Sequence, residues 1–171
     1  DRLYTAALLG VVSIFFLLRA EEVLELCYPK QIEINDETRT VTLNLSTSKT
    51  NWRERDTFRS LQCCCSEDNR TSGPGLQVPL CSYCAVVELG RLAGSETWVM
   101  SQGTKSKPMA YDGYNKATKD LAQLVPEILG KRITSHSYRR AGAQHYWMWG
   151  MSRDEIKCFG RWHSWVIDMY L

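Results

Sequence analysis

Leu3 to Leu18 reads LYTAALLGVVSIFFLL, the most apolar stretch of the chain, and any fold must be built to bury it. At about 16 residues it falls short of the roughly 20 that a membrane-spanning helix needs, and Thr5, Gly10 and Ser13 interrupt it. The stretch therefore predicts a helix buried in the core of a globular domain, with no membrane partner. Its apolar face carries on through LLRAEEVLEL at Leu18, Val23, Leu24 and Leu26, so the helix is expected to run on until Pro29 ends it.

A chain of 171 residues is one domain by length and can enclose a core of this kind. With 44% hydrophobic and 23% charged residues it is not a disordered chain. The net charge of +2 does not announce a polyanionic partner, but the charge is uneven: from Lys131 onward seven Lys or Arg stand against three acids. Seven cysteines, an odd count with no secretory leader before them, point to a reducing compartment with free thiols or a metal site. The chain opens on Asp1-Arg2 without a Met, as a piece of a longer protein would.

After Pro29, Gln31 to Ile34 and then Val41, Leu43 and Leu45 alternate apolar with polar, predicting two antiparallel strands turned at Asn35-Asp36. Ser48-Lys49-Thr50 is a polar hairpin tip, and Thr57 to Leu61 returns as a third strand. From about 62 to 84 the chain is a Cys-rich loop by its Ser, Gly, Pro and Asn content. Within it Cys63 and Cys65 precede Cys81-x-x-Cys84, a set of thiols that can close a structural zinc site or sit at a strand end without metal. Ser82 to Leu92 reads as a short helix. Tyr111 to Leu129, with Tyr114, Ala117, Leu121, Leu124 and Ile128 at helical spacing, reads as a core-facing helix that Pro126 ends or kinks. Lys105, Lys107, Lys116 and Lys119 would face solvent or a phosphate backbone.

The closing stretch, Thr134 to Leu171, carries the chemistry. Thr134 or Ser135 caps a helix on which His136 and Arg139, three apart, share a face. A guanidinium fork matches two phosphate oxygens, and an imidazole exchanges a proton near neutral pH. Arg140 points about 100° away round such a helix, to a salt bridge or a DNA backbone. His145, Tyr146, Trp147 and Trp149 read as core packing. Ser152-x-x-Glu155 is a capping box opening a helix that ends near Gly160, and Ser164 caps a last turn that delivers Tyr170.

HSYRRAGA, followed by GRWHSWVIDMY with Tyr170 ten residues after Gly160, resembles the carboxy-terminal signature of the tyrosine recombinases, the phage-integrase family. Arg19-x-x-Glu22 before Leu-x-Leu resembles that family's first box, and Ser48-Lys49-Thr50 its hairpin lysine. The resemblance implies an α+β fold, a mainly α-helical catalytic domain with a small three-stranded antiparallel sheet, spanning 1–171. An amino-terminal DNA-clamp domain would lie before Asp1. It implies that Tyr170 attacks a phosphodiester of double-stranded DNA, that Arg19 and Arg139 hold the phosphate with Glu22 positioning Arg19, that His136 accepts the phenol proton, and that Lys49 protonates the leaving 5' oxygen. No cofactor is then required, and the full-length protein would assemble as a tetramer on DNA.

One box departs from the usual pattern. Gly160 is followed by Arg161, Trp162 and His163 where the family usually has Gly-His or Gly-Trp, and all three remain candidates for that slot. The Gly-Arg-Trp form resembles recombinases of eukaryotic mobile elements, DIRS-type retrotransposons and Cryptons, and with them a nuclear location. In a prokaryote the location would be cytoplasmic. The rival readings are a DNA-binding module of the same fold without turnover, a type IB topoisomerase, and a membrane or zinc-binding interaction protein.

Overall fold

The computed structural model describes residues 2–45, 57–65, 81–104 and 107–171. Helix α1 (Arg2–Phe16) is the apolar stretch, and helices α3 (Ser82–Ala93), α4 (Tyr111–Ala122) and α5 (Ser135–Met148) pack around it. Ala6, Leu8, Leu9, Val12 and Phe16 are all wholly buried there, which accounts for a helix with no amphipathic stripe. Among the described residues no helix is long and apolar enough to cross a membrane.

The α1–α5 crossing is close because glycines line it. A Cβ on Gly142 would lie 2.2 Å from the Ile14 carbonyl oxygen, and one on Gly10 would lie 2.8 Å from the Tyr138 ring. Tyr138, Gly142 and Tyr146 follow at steps of four along α5, one seam of the helix, and the Tyr146 hydroxyl donates to the Phe15 carbonyl at 2.6 Å. The start of α5 is pinned to α4, where Asn115 Oδ1 accepts from the Ser135 N–H (3.0 Å) and hydroxyl (2.7 Å).

Strands β2 (Ile32–Asn35), β3 (Thr40–Asn44) and β4 (Phe58–Gln62) form the antiparallel three-stranded sheet in that order. Ile34 pairs with Val41 and Val41 with Leu61, so alternate residues reach the core, as the period-two pattern requires. Asn35 Oδ1 accepts from the Thr38 N–H at 2.9 Å, the side-chain turn its residue type favours. Two small ladders were not legible in the sequence: β1 (Cys27–Tyr28) with β5 (Trp98–Val99), and β6 (Gln102–Thr104) with β7 (Lys107–Pro108). Two- and three-residue strands carry no periodicity, and tertiary pairing alone creates them.

Three expectations are corrected. The first helix does not run on to Pro29: it stops at Phe16, Leu17 turns left-handed (φ +51°), and α2 (Ala20–Glu25) starts afresh with Arg19 as its cap. The helix of residues 111–129 stops at Ala122, Pro126–Ile128 forms a separate 3-10 turn, and Leu124 and Leu129 stand exposed at 69% and 62%. The aromatic group on α5 is not core, since His145, Trp147 and Trp149 are exposed and only Tyr146 turns inward. Helical spacing cannot tell an inward stripe from an outward one when both are aromatic.

Candidate active site

The break after α1 is what builds the site. With Leu17 left-handed and Arg19 extended (φ −73°, ψ 154°), the Arg19 N–H reaches Glu22 Oε2 at 2.8 Å while its Nη1 reaches Oε1 at 2.9 Å. The Glu22 side chain is only 7% exposed and takes a second cation, Arg161 Nη2, at 2.6 Å. Arg161 occupies a left-handed backbone conformation (φ +57°), uncommon for a residue with a Cβ, and its side chain is 1% exposed. Its Nε and Nη1 are buried without an acceptor among the described residues.

From α5, Arg139 enters the same cluster and is itself wholly buried. Its Nη1 donates to the Leu17 carbonyl and its Nη2 to the Gly160 carbonyl, both at chain bends, and its guanidinium lies 4.1 Å from the centre of the Trp162 ring. Burial, with the nearby Arg19 charge, brings the Arg139 pKa down to about 9. An arginine keeps its proton in proteins, so the shift expresses how unfavourably the cation sits until an anion joins it. Arg161 is shifted down likewise, first by burial and then by Arg19 and Arg59, with Glu22 opposing. Among the described residues, Arg19 and Arg161 thus pair with the Glu22 carboxylate, and Arg139 sits beside them on backbone carbonyls.

His136 Nε2 lies 2.6 Å from the Tyr170 hydroxyl, with the two rings edge-on at 5.8 Å. Burial of its ring and the charges of Arg139 and Arg19 hold its pKa below the usual imidazole value, so the neutral, proton-accepting form prevails at pH 7. Tyr170 ends a 3-10 helix, Trp165–Met169, which Ser164 caps by accepting the Val166 N–H at 3.5 Å. That turn is held on α6 (Arg153–Phe159). Arg153 forks onto Asp168, with Nη2 to Oδ2 at 2.8 Å, and Trp165 lies within 4.5 Å of Arg153 and 4.6 Å of Lys157. Ile167 is buried beneath it.

Arg19, His136, Arg139, Arg161, Trp162 and Tyr170 therefore meet in one place. Trp162 stands edge-on to Tyr170 at 5.9 Å and under Arg139, while Arg161 turns to Glu22 and His163 is exposed. Lys49 lies outside the described residues, as does Lys105. Two participants escaped sequence reasoning. Arg140, expected to point away, lies 5.9 Å from the centre of the Tyr170 ring, because the last turn folds back over the next helix face. Arg59 on β4 donates to the Phe159 (3.4 Å) and Cys158 (3.3 Å) carbonyls, satisfying the end of α6 just before Gly160. Its place in an alternating strand gave no signal of that.

A second cluster lies at the end of β4 and the start of α3. The Sγ atoms of Cys63, Cys65, Cys81 and Cys84 all lie within 4.8 Å of one another. Burial and the Cys81 thiol push the Cys65 thiol up to about 12, and Cys84 is raised for the same reasons. Burial also raises Cys81, but hydrogen bonds from the Cys84 N–H and the Cys65 and Cys84 thiols outweigh it and bring Cys81 down to about 7.

No family model matches the chain, and no curated protein matches it. Among solved structures it is similar to the integrase of transposon Tn1549, solved in complex with transposon right-end DNA, with a TM-score of 0.56 and 15% sequence identity. The likeness covers 97% of this chain and 52% of that one, so the chain spans about half the length of the integrase it matches. At that identity the likeness is one of architecture: this chain shares, over nearly its whole length, the fold of a transposon integrase.

Proposed function

We propose that this chain is the catalytic domain of a DNA strand transferase that cuts and rejoins double-stranded DNA through a 3'-phosphotyrosine. The observation that carries the reading is the 2.6 Å contact between His136 Nε2 and the Tyr170 hydroxyl, set beside a buried surplus of guanidinium charge. A phenol with an ordinary pKa near 10 is a weak nucleophile at neutral pH and needs a proton acceptor within hydrogen-bond reach. Neutral His136 is that acceptor. A phosphodiester anion brought to Arg19 and Arg139 supplies the charge the cluster lacks, and each Nη of Arg139 carries a second N–H beyond the one given to a carbonyl.

In the proposed step the Tyr170 oxygen bonds to phosphorus as the bond to the 5' oxygen breaks. His136 takes the phenol proton, and Lys49, assigned by its resemblance to the family's hairpin lysine, gives one to the leaving 5' oxygen. A 5' hydroxyl of a second DNA end then attacks the phosphotyrosine and restores both the backbone and Tyr170. The bond is conserved through the covalent link, so no energy-yielding cofactor enters. Support for DNA as substrate comes from the fold shared with an integrase solved on transposon DNA. The Gly160-Arg161-Trp162 form resembles that of eukaryotic mobile-element recombinases and supports a role in integrating or excising such an element, in the nucleus of a eukaryote or the cytoplasm of a prokaryote, with four copies of the full-length protein on two duplexes as the family resemblance implies.

A second reading, a DNA-binding module without turnover, draws on two features. Arg139 gives both Nη groups to backbone carbonyls, and Arg161 in the third box turns to Glu22. Suicide-substrate trapping separates the two. The full-length protein is incubated, without added metal, with nicked DNA bearing the element's terminal sequence, and run on a denaturing gel beside Tyr170→Phe. A covalent adduct lost in Tyr170→Phe is expected. DNA binding without an adduct would sink the strand-transfer reading and leave the binding module.

A further inference from the structure

The geometry points to a zinc ion held by Cys63, Cys65, Cys81 and Cys84, clipping the end of β4 to the start of α3. Tetrahedral zinc with Zn–S bonds of about 2.3 Å sets its sulfurs about 3.8 Å apart. In the fold, Cys63 and Cys84 Sγ are 3.6 Å apart, Cys81 and Cys63 also 3.6 Å, and Cys84 and Cys65 3.9 Å. A disulfide brings its sulfurs to about 2.05 Å, and all of these cysteines are free. Three of the six edges thus match a metal tetrahedron, and all six lie within 4.8 Å.

Its surroundings suit an anionic tetrathiolate. The Cys84 N–H donates to Cys81 Sγ at 3.5 Å, the backbone-to-sulfur bond of a Cys-x-x-Cys turn, and Cys81 is also the cap of the 12-residue helix α3, whose positive end faces the sulfurs. Arg39 Nη2 approaches Cys84 Sγ at 3.8 Å, with its guanidinium 5.4 Å from the centre of the Tyr83 ring, and Tyr83 in turn donates to Asp36 at 2.7 Å. These are outer partners of the kind that orient metal ligands and offset their charge. Four protein ligands leave no open coordination position, so the ion is structural. It braces the β3–β4 pair, whose connecting segment contains Lys49. The four thiols can hold zinc whether or not the chain transfers DNA strands.

The test is made on the whole chain purified with its thiols reduced. Elemental analysis is expected to find one zinc per chain, and rapid alkylation to label the three other cysteines, Cys27, Cys64 and Cys158, until a chelator exposes all seven. Cobalt(II) in exchange for zinc should give the strong visible bands of a tetrahedral tetrathiolate. Cys65→Ser should lose the metal, whereas Cys27→Ser and Cys158→Ser should keep it. If Cys65→Ser does not fold, the wild-type measurements decide alone. A folded, reduced wild-type chain that is metal-free and takes up neither zinc nor cobalt would overturn the proposal, as would an intact mass showing disulfides within the cluster.

Discussion

At the residue scale, the carboxylate of Glu22 decides most, because among the described residues it alone is paired with two of the cluster's three guanidiniums. Removing one partner of a buried ion pair leaves an uncompensated charge and typically costs about 3–5 kcal/mol. Glu22→Ala is expected to lose that much in urea unfolding. By contrast Glu88→Ala, which frees Arg91 at a site where the arginine is 68% exposed, should cost about 1 kcal/mol or less. Equal losses in the two variants would mean that Glu22 is no keystone. His136 makes a prediction in pH. Its pKa in the folded chain is lowered by burial and by Arg139 and Arg19, so the unfolded chain binds its proton more readily. Its contribution to stability is therefore complete above the ordinary value of about 6.5 and is lost as pH falls below it. In trapping assays, adduct formation should hold at pH values where a free histidine is already half charged and decline only further into acid. His136→Gln should form adduct slowly and lose that acid limb, and a limb that persists would assign it to another group.

At the scale of elements, the crossing of α1 and α5 sets where Arg139 and His136 can be. Gly142 lets the helices approach, and a methyl group there would lie 2.2 Å from the Ile14 oxygen, a contact that backbone cannot relieve by a rotamer change. Gly142→Ala is expected to destabilise the chain by about 1–3 kcal/mol, as overpacking does, despite alanine's better helix propensity. A thermal melt decides it, and a raised midpoint would show that the helices part without penalty. The same crossing presents the Leu17 carbonyl to Arg139, so the variant should also weaken adduct formation. The terminal 3-10 helix is held differently, by surface pairs and by Trp165 beside Arg153 and Lys157. Such contacts orient Tyr170 more than they stabilise the fold.

At the scale of the whole molecule, the described residues form two cores of unequal size. The larger gathers α1, α3, α4 and the sheet; the smaller comprises Leu17, Ala143, Ile156, Trp162 and Ile167, with Tyr146, Met151, Phe159, Val166 and Tyr170 packed on it. Local opening takes less free energy where fewer apolar groups are buried. Hydrogen exchange should find the amides of α1 protected to the limit of global unfolding, and those of α6 and the Tyr170 turn exchanging earlier. Uniform protection would mean that the two cores open as one. Tyr170, the proposed nucleophile, would thus ride on the less stable part of the molecule, against a fixed bed formed by α1 and α5.

What the sequence determined by itself was the local grammar. The buried first helix, the alternating strands turned at Asn35, the caps at Ser152 and Ser164 and the shared face of His136 and Arg139 all depend on neighbours a few residues away. The three-stranded sheet and the starts of α5, α6 and the last turn follow from that short-range chemistry. What only the tertiary structure decided were the relations between distant segments. Leu17 breaks the first helix so that Arg19 can reach Glu22, and Arg161 crosses 139 positions of chain to the same carboxylate. Arg140 meets Tyr170 because the last turn folds back, and four thiols gather from the two ends of the Cys-rich segment. Periodicity and capping report the next turn of the chain. They carry no information about which charge will be buried beside which, since that depends on how closely packed helices, held apart only by a glycine, bring remote segments together.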